Sequence, residues 1–195
     1  MTRHLSSMPS DYFESIFQST DDPWSLESSE YEQAKYAHTI EVLSGHTYTA
    51  GFEIGCAKGT LTARLAPLCA SLQAIDVSGT ALRAARQRCE QFHHVSFANM
   101  RFPGEAPERM FDLVVLSEVA YYWADADIKI AIQWIKDHLL PGGRIVLVHW
   151  TGETDYPQSA DEAVSKLQSA LEGMITIEIA ERHSKYRLDL WLRPA

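Results

Sequence analysis

Between Ala50 and Thr62 the chain reads Ala-Gly-Phe-Glu-Ile-Gly-Cys-Ala-Lys-Gly-Thr-Leu-Thr. A short apolar run ends in glycines, and helix-forming residues follow at once. That order is how a buried strand hands over to a helix through a tight turn. Such a turn directs backbone N–H groups and a helix N-terminus towards whatever ligand lies above the strand. A chain built around this junction is expected to be an α/β protein.

The rest of the sequence repeats the alternation. Tyr12, Phe13, Ile16 and Phe17 have helical spacing, and Asp21-Asp22-Pro23-Trp24 reads as a turn. A helix is predicted over Glu30–Leu43, capped by Ser28 or Ser29 and stopped by Gly45, with Tyr36, Ile40 and Leu43 on one face. After the glycine turn come a helix over Thr60–Ala66 closed by Pro67, a strand over Ser71–Val77, and a Ser78-capped helix to Arg88. Ala81, Leu82 and Ala85 face inward on that helix. Strands are predicted at Val95–Ala98 and Phe111–Ser117, the second apolar enough for the sheet centre. A helix over Asp125–Leu139 should end at Pro141-Gly142-Gly143, before a strand at Arg144–His149. A polar loop over 151–159 leads to a helix over Ala160–Leu171. Met174–Ala180 and Lys185–Leu192 then alternate apolar and polar residues as an antiparallel hairpin does. The expected fold is Rossmann-like: a doubly wound, mostly parallel seven-stranded sheet with right-handed crossovers and a C-terminal antiparallel hairpin. At 195 residues one domain is expected. It comprises an N-terminal helical lid (1–45), a cofactor-binding core (46–150) and a helix with hairpin (151–195).

Two familiar ligands fail at the glycine turn. Counting from Gly55, a dinucleotide fingerprint needs glycines where Ala57 and Thr60 stand. A phosphate-binding loop would need Gly-Lys-Ser/Thr at a spacing that is absent. What remains is Glu53 ahead of Gly55 and Gly59, with Asp76 at the end of the next strand. A carboxylate at a strand end needs a cationic or N–H partner, which a sulfonium cofactor with an α-amino group offers. Asp76 is placed to accept both ribose hydroxyls, and it could also cap the following helix.

The E-x-G-x-x-x-G turn, Asp76, Asn99-Met100 and the Phe-Asp-Leu-Val run, in that order over residues 50–150, resemble a class I S-adenosylmethionine-dependent methyltransferase. The resemblance implies S-adenosyl-L-methionine as cofactor and S-adenosyl-L-homocysteine as product. It puts Glu53, Gly55, Cys56, Gly59, Asp76, Val77, Ser117, Glu118 and Val119 around the cofactor. Asn99 and Met100 would read the adenine through the Asn99 side chain and the Met100 N–H. Asn99 departs from the Asp usual there.

Ser117-Glu118-Val119-Ala120-Tyr121-Tyr122-Trp123 follows the central strand and lacks the Asn/Asp-Pro-Pro-aromatic motif of enzymes that methylate nucleic-acid amines. This segment resembles the nodulation N-methyltransferase (NodS-like) family. So do Asp22-Pro23-Trp24, Tyr31-Glu32-x-x-Lys35-Tyr36, His149-Trp150, Asp155-Tyr156-Pro157 and Asp161-Glu162, over residues 22–192. The resemblance adds Trp24, Tyr31 and Lys35 to the cofactor set. It implies methylation of a free amine on an aminosugar or deacetylated chitooligosaccharide. Tyr121, Tyr122, Trp150, Asp155 and Tyr156 are the expected substrate-binding residues, although any of the aromatics could be core. Glu118 and His149 are the catalytic candidates. His149 has the better intrinsic pKa for a base, and a packing role is its alternative.

O-methylation of another small metabolite and a cofactor-binding scaffold without turnover are the other readings. The net charge of −9 disfavours nucleic acid. No apolar run reaches the roughly 18–20 residues of a membrane span, and no paired metal-ligand motif is present. Cys56, Cys69 and Cys89 suit reduced thiols. With no basic-then-apolar N-terminus, a cytoplasmic setting is expected.

Overall fold

The computed structural model describes residues 3–195. Its strands form one seven-stranded sheet in the order β3-β2-β1-β4-β5-β7-β6. They are β1 (Gly51–Ile54), β2 (Leu72–Asp76), β3 (Val95–Asn99), β4 (Phe111–Ser117), β5 (Leu139–Trp150), β6 (Thr176–Arg182) and β7 (Tyr186–Leu192). The helices are α1 (Ser10–Ser19), α2 (Glu30–Leu43), α3 (Thr60–Leu65), α4 (Gly79–Arg88), α5 (Asp125–His138) and α6 (Ala160–Ala170). Strands β1 and β2, β2 and β3, and β4 and β5 pair parallel, and β5–β7 and β6–β7 pair antiparallel. The expected mostly parallel sheet with a terminal hairpin is therefore present. The chain falls into two compact units, Pro9–Met100 and Arg101–Ala195 with the described residues up to Met8.

In the Pro9–Met100 unit, Cys56, Ala74, Leu82 and Ala85 form a buried cluster with Phe97 against it. Three small side chains there let α4 approach the sheet closely. The Ser78 hydroxyl caps α4 by accepting from the Ala81 N–H at 3.0 Å, as its position before the helix predicts. On α2 the expected apolar face is incomplete. Tyr36 and Leu43 are buried and Ile40 is half-buried, but Glu32, Lys35 and Thr39 are buried with them.

In the other unit, Phe111, Leu113, Val114, Val115 and Leu116 of β4 are all fully buried, each apolar side chain contributing about 1.5–3 kcal/mol. Trp134 of α5 stands edge-on to Phe102 at 5.2 Å and donates its indole N–H to the Pro107 carbonyl at 3.0 Å. Asp125 and Asp127 at the start of α5 and Lys136 and His138 at its end suit the helix dipole.

The junction of α5 with β5 and the burial of β6 differ most from expectation. Helix α5 stops at His138, and Leu139 already pairs with Phe111, so Pro141-Gly142-Gly143 lies inside β5. The register breaks between Phe111 and Leu113 to accommodate it. Gly142 is left-handed (φ 79°) and donates to the Arg193 carbonyl at 2.7 Å, while Arg193 N–H returns a bond to Gly143 at 2.8 Å. Antiparallel pairing to the C-terminal segment thus captures residues whose composition reads as a loop. Strand β6 is solvent-facing at six of its seven residues rather than alternately buried. It is the sheet's last strand, and its charged residues, among them Glu178 paired with Arg144, are of the kind that discourage edge pairing.

Candidate functional site

The turn after β1 is wound by left-handed residues at Gly55 (φ 76°), Ala57 (φ 48°) and Gly59 (φ 79°). A left-handed alanine is uncommon, and Asp76 holds it. Asp76 Oδ2 accepts from the Ala57 N–H and Oδ1 from the Ser78 N–H, both at 2.8 Å. Asp76 therefore ties the end of β2 to the glycine turn and to the start of α4. Two donors leave the carboxylate about two further acceptor positions of its four. Burial pushes its pKa up to about 6 against those hydrogen bonds. At Gly59 a Cβ would meet the Ala85 Cα at 3.0 Å, so glycine there admits both the φ and the contact with α4.

Glu53 is more deeply placed than a strand-end carboxylate should be. It is 2% exposed, and it accepts from the Thr62 hydroxyl at 2.5 Å rather than from a cation or an N–H. Burial first, and then the charge of Asp76, push its pKa up to about 7, opposed by the Thr62 bond. Burial also raises the Cys56 thiol well above its ordinary value, which makes it an inert neighbour. Asn99 Nδ2 and the Met100 N–H both donate to the Asp76 carbonyl, at 3.0 and 3.2 Å. The two donors expected to read adenine are thus directed at the β2 backbone.

Of the N-terminal candidates, Lys35 is 2% exposed, with Nζ 2.9 Å from Glu32 and 5.3 Å from the centre of the Tyr31 ring. Trp24 is left-handed (φ 54°), about half exposed, and edge-on to Phe17. Residue-type reasoning missed Glu14. Its carboxylate accepts from the Ser78 hydroxyl (2.6 Å) and from the Thr80 hydroxyl and N–H (2.6 and 3.2 Å), which fastens α1 to the first turn of α4. Those hydrogen bonds hold its pKa down at about 2.

The second group lies at the ends of β4 and β5. Ser117 closes β4, and Val119 is the N-cap of a short 3₁₀ turn over Ala120–Tyr122. Between them Glu118 is left-handed (φ 59°), a conformation that costs a non-glycine residue about 1–3 kcal/mol and clusters at functional sites. Its N–H donates to Val148 at 2.8 Å. Its Oε2 accepts from the Tyr121 hydroxyl at 2.7 Å and the Trp150 N–H at 2.8 Å. The Tyr121 ring stacks on Tyr156 with centroids 5.7 Å apart, and Tyr122 stands edge-on to Tyr156 at 4.6 Å. Trp150 is partly exposed, and its indole covers Gly152, where a Cβ would come within 2.0 Å of the ring. Asp155 is exposed, and its carbonyl accepts from the His4 N–H at 2.8 Å. Trp123 belongs to the core, tilted against Phe102 at 5.5 Å.

His149 is fully buried, and its Nε2 accepts from the Ala120 N–H at 3.1 Å. An amide donor at Nε2 occupies that nitrogen's lone pair and fixes the neutral tautomer with its proton on Nδ1. The imidazole holds the 3₁₀ turn in place, which speaks for the packing alternative.

A β/α alternation with this strand order and a terminal antiparallel hairpin defines the Rossmann-like class I methyltransferase fold. The model of the Nodulation protein S (NodS) family matches residues 15–152, and the chain belongs to that family. Nodulation protein S of Sinorhizobium fredii is 34% identical over 128 residues, covering 65% of this chain and 59% of that protein. For the Rhizobium tropici protein the identity is also 34%, covering 65% of this chain and 54% of the relative. The matched part of the chain thus spans less than two thirds of the length of these curated relatives. The crystal structure of the N-methyltransferase NodS from Bradyrhizobium japonicum in complex with S-adenosyl-L-homocysteine superposes with a TM-score of 0.82 at 27% identity. It covers 94% of this chain and 98% of that one.

Proposed function

We propose that the chain is an S-adenosylmethionine-dependent N-methyltransferase acting on the free amine of an aminosugar or deacetylated chitooligosaccharide. The observation that carries this reading is the likeness, over 94% of the chain, to an N-methyltransferase crystallised with S-adenosyl-L-homocysteine. The residues fit such a cofactor. Gly55, Ala57 and Gly59 wind a turn that opens a helix, and Asp76 keeps an acceptor position beside it. Glu53, on β1 just ahead of that turn, offers a titratable carboxyl, suited to a cationic ligand. When bound, the cofactor supplies a sulfonium-activated methyl group, so the protein's task is mainly to position the amine and handle its proton. Glu118, Tyr121, Tyr122 and Tyr156 are our acceptor-side residues. Their ring faces suit a sugar, and an anionic carboxylate suits an amine. Trp150 and Asp155 complete our substrate set, and a cytoplasmic setting remains part of the proposal.

The test is transfer of labelled methyl from S-adenosyl-L-methionine to glucosamine-type oligosaccharides and to their N-acetylated forms. We expect label only on the free amines. Equal labelling of the acetylated compounds would replace the N-methyl reading with an O-methyl one.

A further inference from the structure

Lys58 lies within the glycine turn, and its side chain reaches the segment that joins α1 to α2. Its Nζ donates to the Asp21 carbonyl and stands 3.8 Å from Glu27 Oε1. Arg88, the last residue of α4, completes the group. Its Nε donates to the Lys58 carbonyl at 3.0 Å, and its Nη2 is 2.9 Å from the same Glu27 oxygen. Between Asp21 and Glu27 the chain makes a turn that its residue types do not favour. Trp24 (φ 54°) and Ser25 (φ 56°) are both left-handed. Successive non-glycine residues in that region persist only where their surroundings over-determine them. Asp22 constrains the turn from within: its carboxylate accepts from the Glu27 N–H at 2.9 Å and from the Ser28 N–H and hydroxyl at 3.0 and 2.7 Å. Lys58 constrains it from outside by meeting both of its ends, at Asp21 and at Glu27. On the α2 side, Gln33 Nε2 donates to the Glu27 carbonyl at 2.9 Å, and Arg64 of α3 donates to the Gln33 carbonyl at 3.3 Å. All of these residues belong to the Pro9–Met100 unit.

We propose that Glu27 is a positioning residue for the cofactor: through Lys58 and Arg88 it holds the Trp24 turn against the glycine turn, and so sets how long S-adenosyl-L-methionine is retained. The inference rests on the S-adenosylmethionine site and is independent of which amine is methylated. Lys58 and Arg88 approach one carboxylate oxygen, so without Glu27 they would face each other as like charges and Lys58 would lose its hold on the far end of the turn. The glycine turn is a firm anchor, fixed by Asp76 at Ala57 and packed on Ala85 at Gly59. The Trp24 turn has no strand pairing of its own and carries a half-exposed ring whose printed contact is the edge of Phe17. Where that ring lies therefore depends on the charged group below it. Lys58, Glu27 and Arg88 are each partly exposed, so dissolved salt should screen the clamp.

The experiment measures S-adenosyl-L-homocysteine affinity by calorimetry and its release by stopped flow, at low and high salt. The proteins are wild type, Glu27→Gln, Arg88→Gln and the double variant. Partly exposed ion pairs are individually weak, so Glu27→Gln should weaken binding by about threefold to tenfold at low salt, mainly through faster release. Wild-type affinity should fall with salt towards that of the variant, which should itself respond less. The double variant should lose less than the sum of the two single losses, because both act on one group. A second readout needs no ligand. In the cofactor-free protein, Glu27→Gln should speed amide hydrogen exchange across Trp24–Ser29 and leave Leu82–Ala85 unchanged. Exchange that rises equally in both segments, or a variant with the affinity and salt response of wild type, overturns the proposal alone. A wild type that binds no S-adenosyl-L-homocysteine removes the cofactor site and the proposal with it.

Discussion

Glu53 on β1 and Asp76 at the end of β2 are two buried carboxyls beside the glycine turn, and burial makes both reluctant to ionise. For an acid whose pKa is raised on folding, the native state binds more protons than the unfolded state between the two values. Stability therefore falls as pH rises through that window. For Glu53 the window runs from 4.5 to about 7, and for Asp76 from 3.8 to about 6. With Glu53 buried and its shift about two and a half units, the loss is of order 3 kcal/mol across its window. Glu53→Gln, which can still bond Thr62, should flatten the fall. In urea denaturation at pH 5 and pH 8, wild type should lose more stability between the two pH values than the variant. An equal loss in both would remove Glu53 as its source. The sulfonium reading rests on this same carboxyl: a cation bound near it favours the ionised form and relieves the strain that folding alone imposes.

At the scale of elements, α1 is the clearest case of a helix whose place depends on one side chain. Its apolar spacing at Tyr12, Phe13, Ile16 and Phe17 makes the helix legible, but of these only Phe17 is buried. Glu14 instead fixes α1 to α4 by bonds to Ser78 and Thr80. These are hydrogen bonds to a charged acceptor, stronger than neutral ones. Glu14→Ala should leave α4 with its own Ser78 cap while releasing α1. Amide hydrogen exchange is expected to speed up across Ser10–Ser19 and to stay unchanged across Leu82–Arg88. Unaltered protection of α1 would assign its docking to the apolar face. The bonds to Ser78 connect this helix to the Asp76 turn, so the same variant is suited to asking whether α1 matters for cofactor affinity.

Over the whole chain, what the sequence revealed was what local pattern encodes. The Ala50–Thr62 junction, the apolar run of β4 and the Ser78 cap are each contained within a few residues, and each was found in place. What it hid depends on residues distant in sequence. Gly142 became strand because Arg193 lies opposite it. Lys35, a charged residue inside α2, is buried with Glu32 beside it. His149 has the right chemistry for a base, yet the Ala120 amide, 29 positions earlier, occupies its Nε2.

The start of α5 is another such case. Its N-cap position holds Ala124, which has no side-chain acceptor to offer. Ser7 supplies one from 117 residues away: its hydroxyl accepts from the Ala124 N–H at 2.7 Å and donates to Asp127 at 2.5 Å. The Met8 N–H bond to Tyr122 and the His4 N–H bond to Asp155 lie along the same segment. The N-terminal residues therefore serve both a helix cap and the tyrosine cluster. Losing a side-chain cap costs about 1 kcal/mol, so Ser7→Ala should lower the denaturation midpoint by that equivalent. If the segment also steadies Tyr122, the variant should reduce methyl transfer while S-adenosyl-L-homocysteine affinity, measured by calorimetry, stays at the wild-type value. A fall in cofactor affinity equal to the fall in turnover would place the effect in the Pro9–Met100 unit. Full activity with reduced stability would confine Ser7 to capping α5.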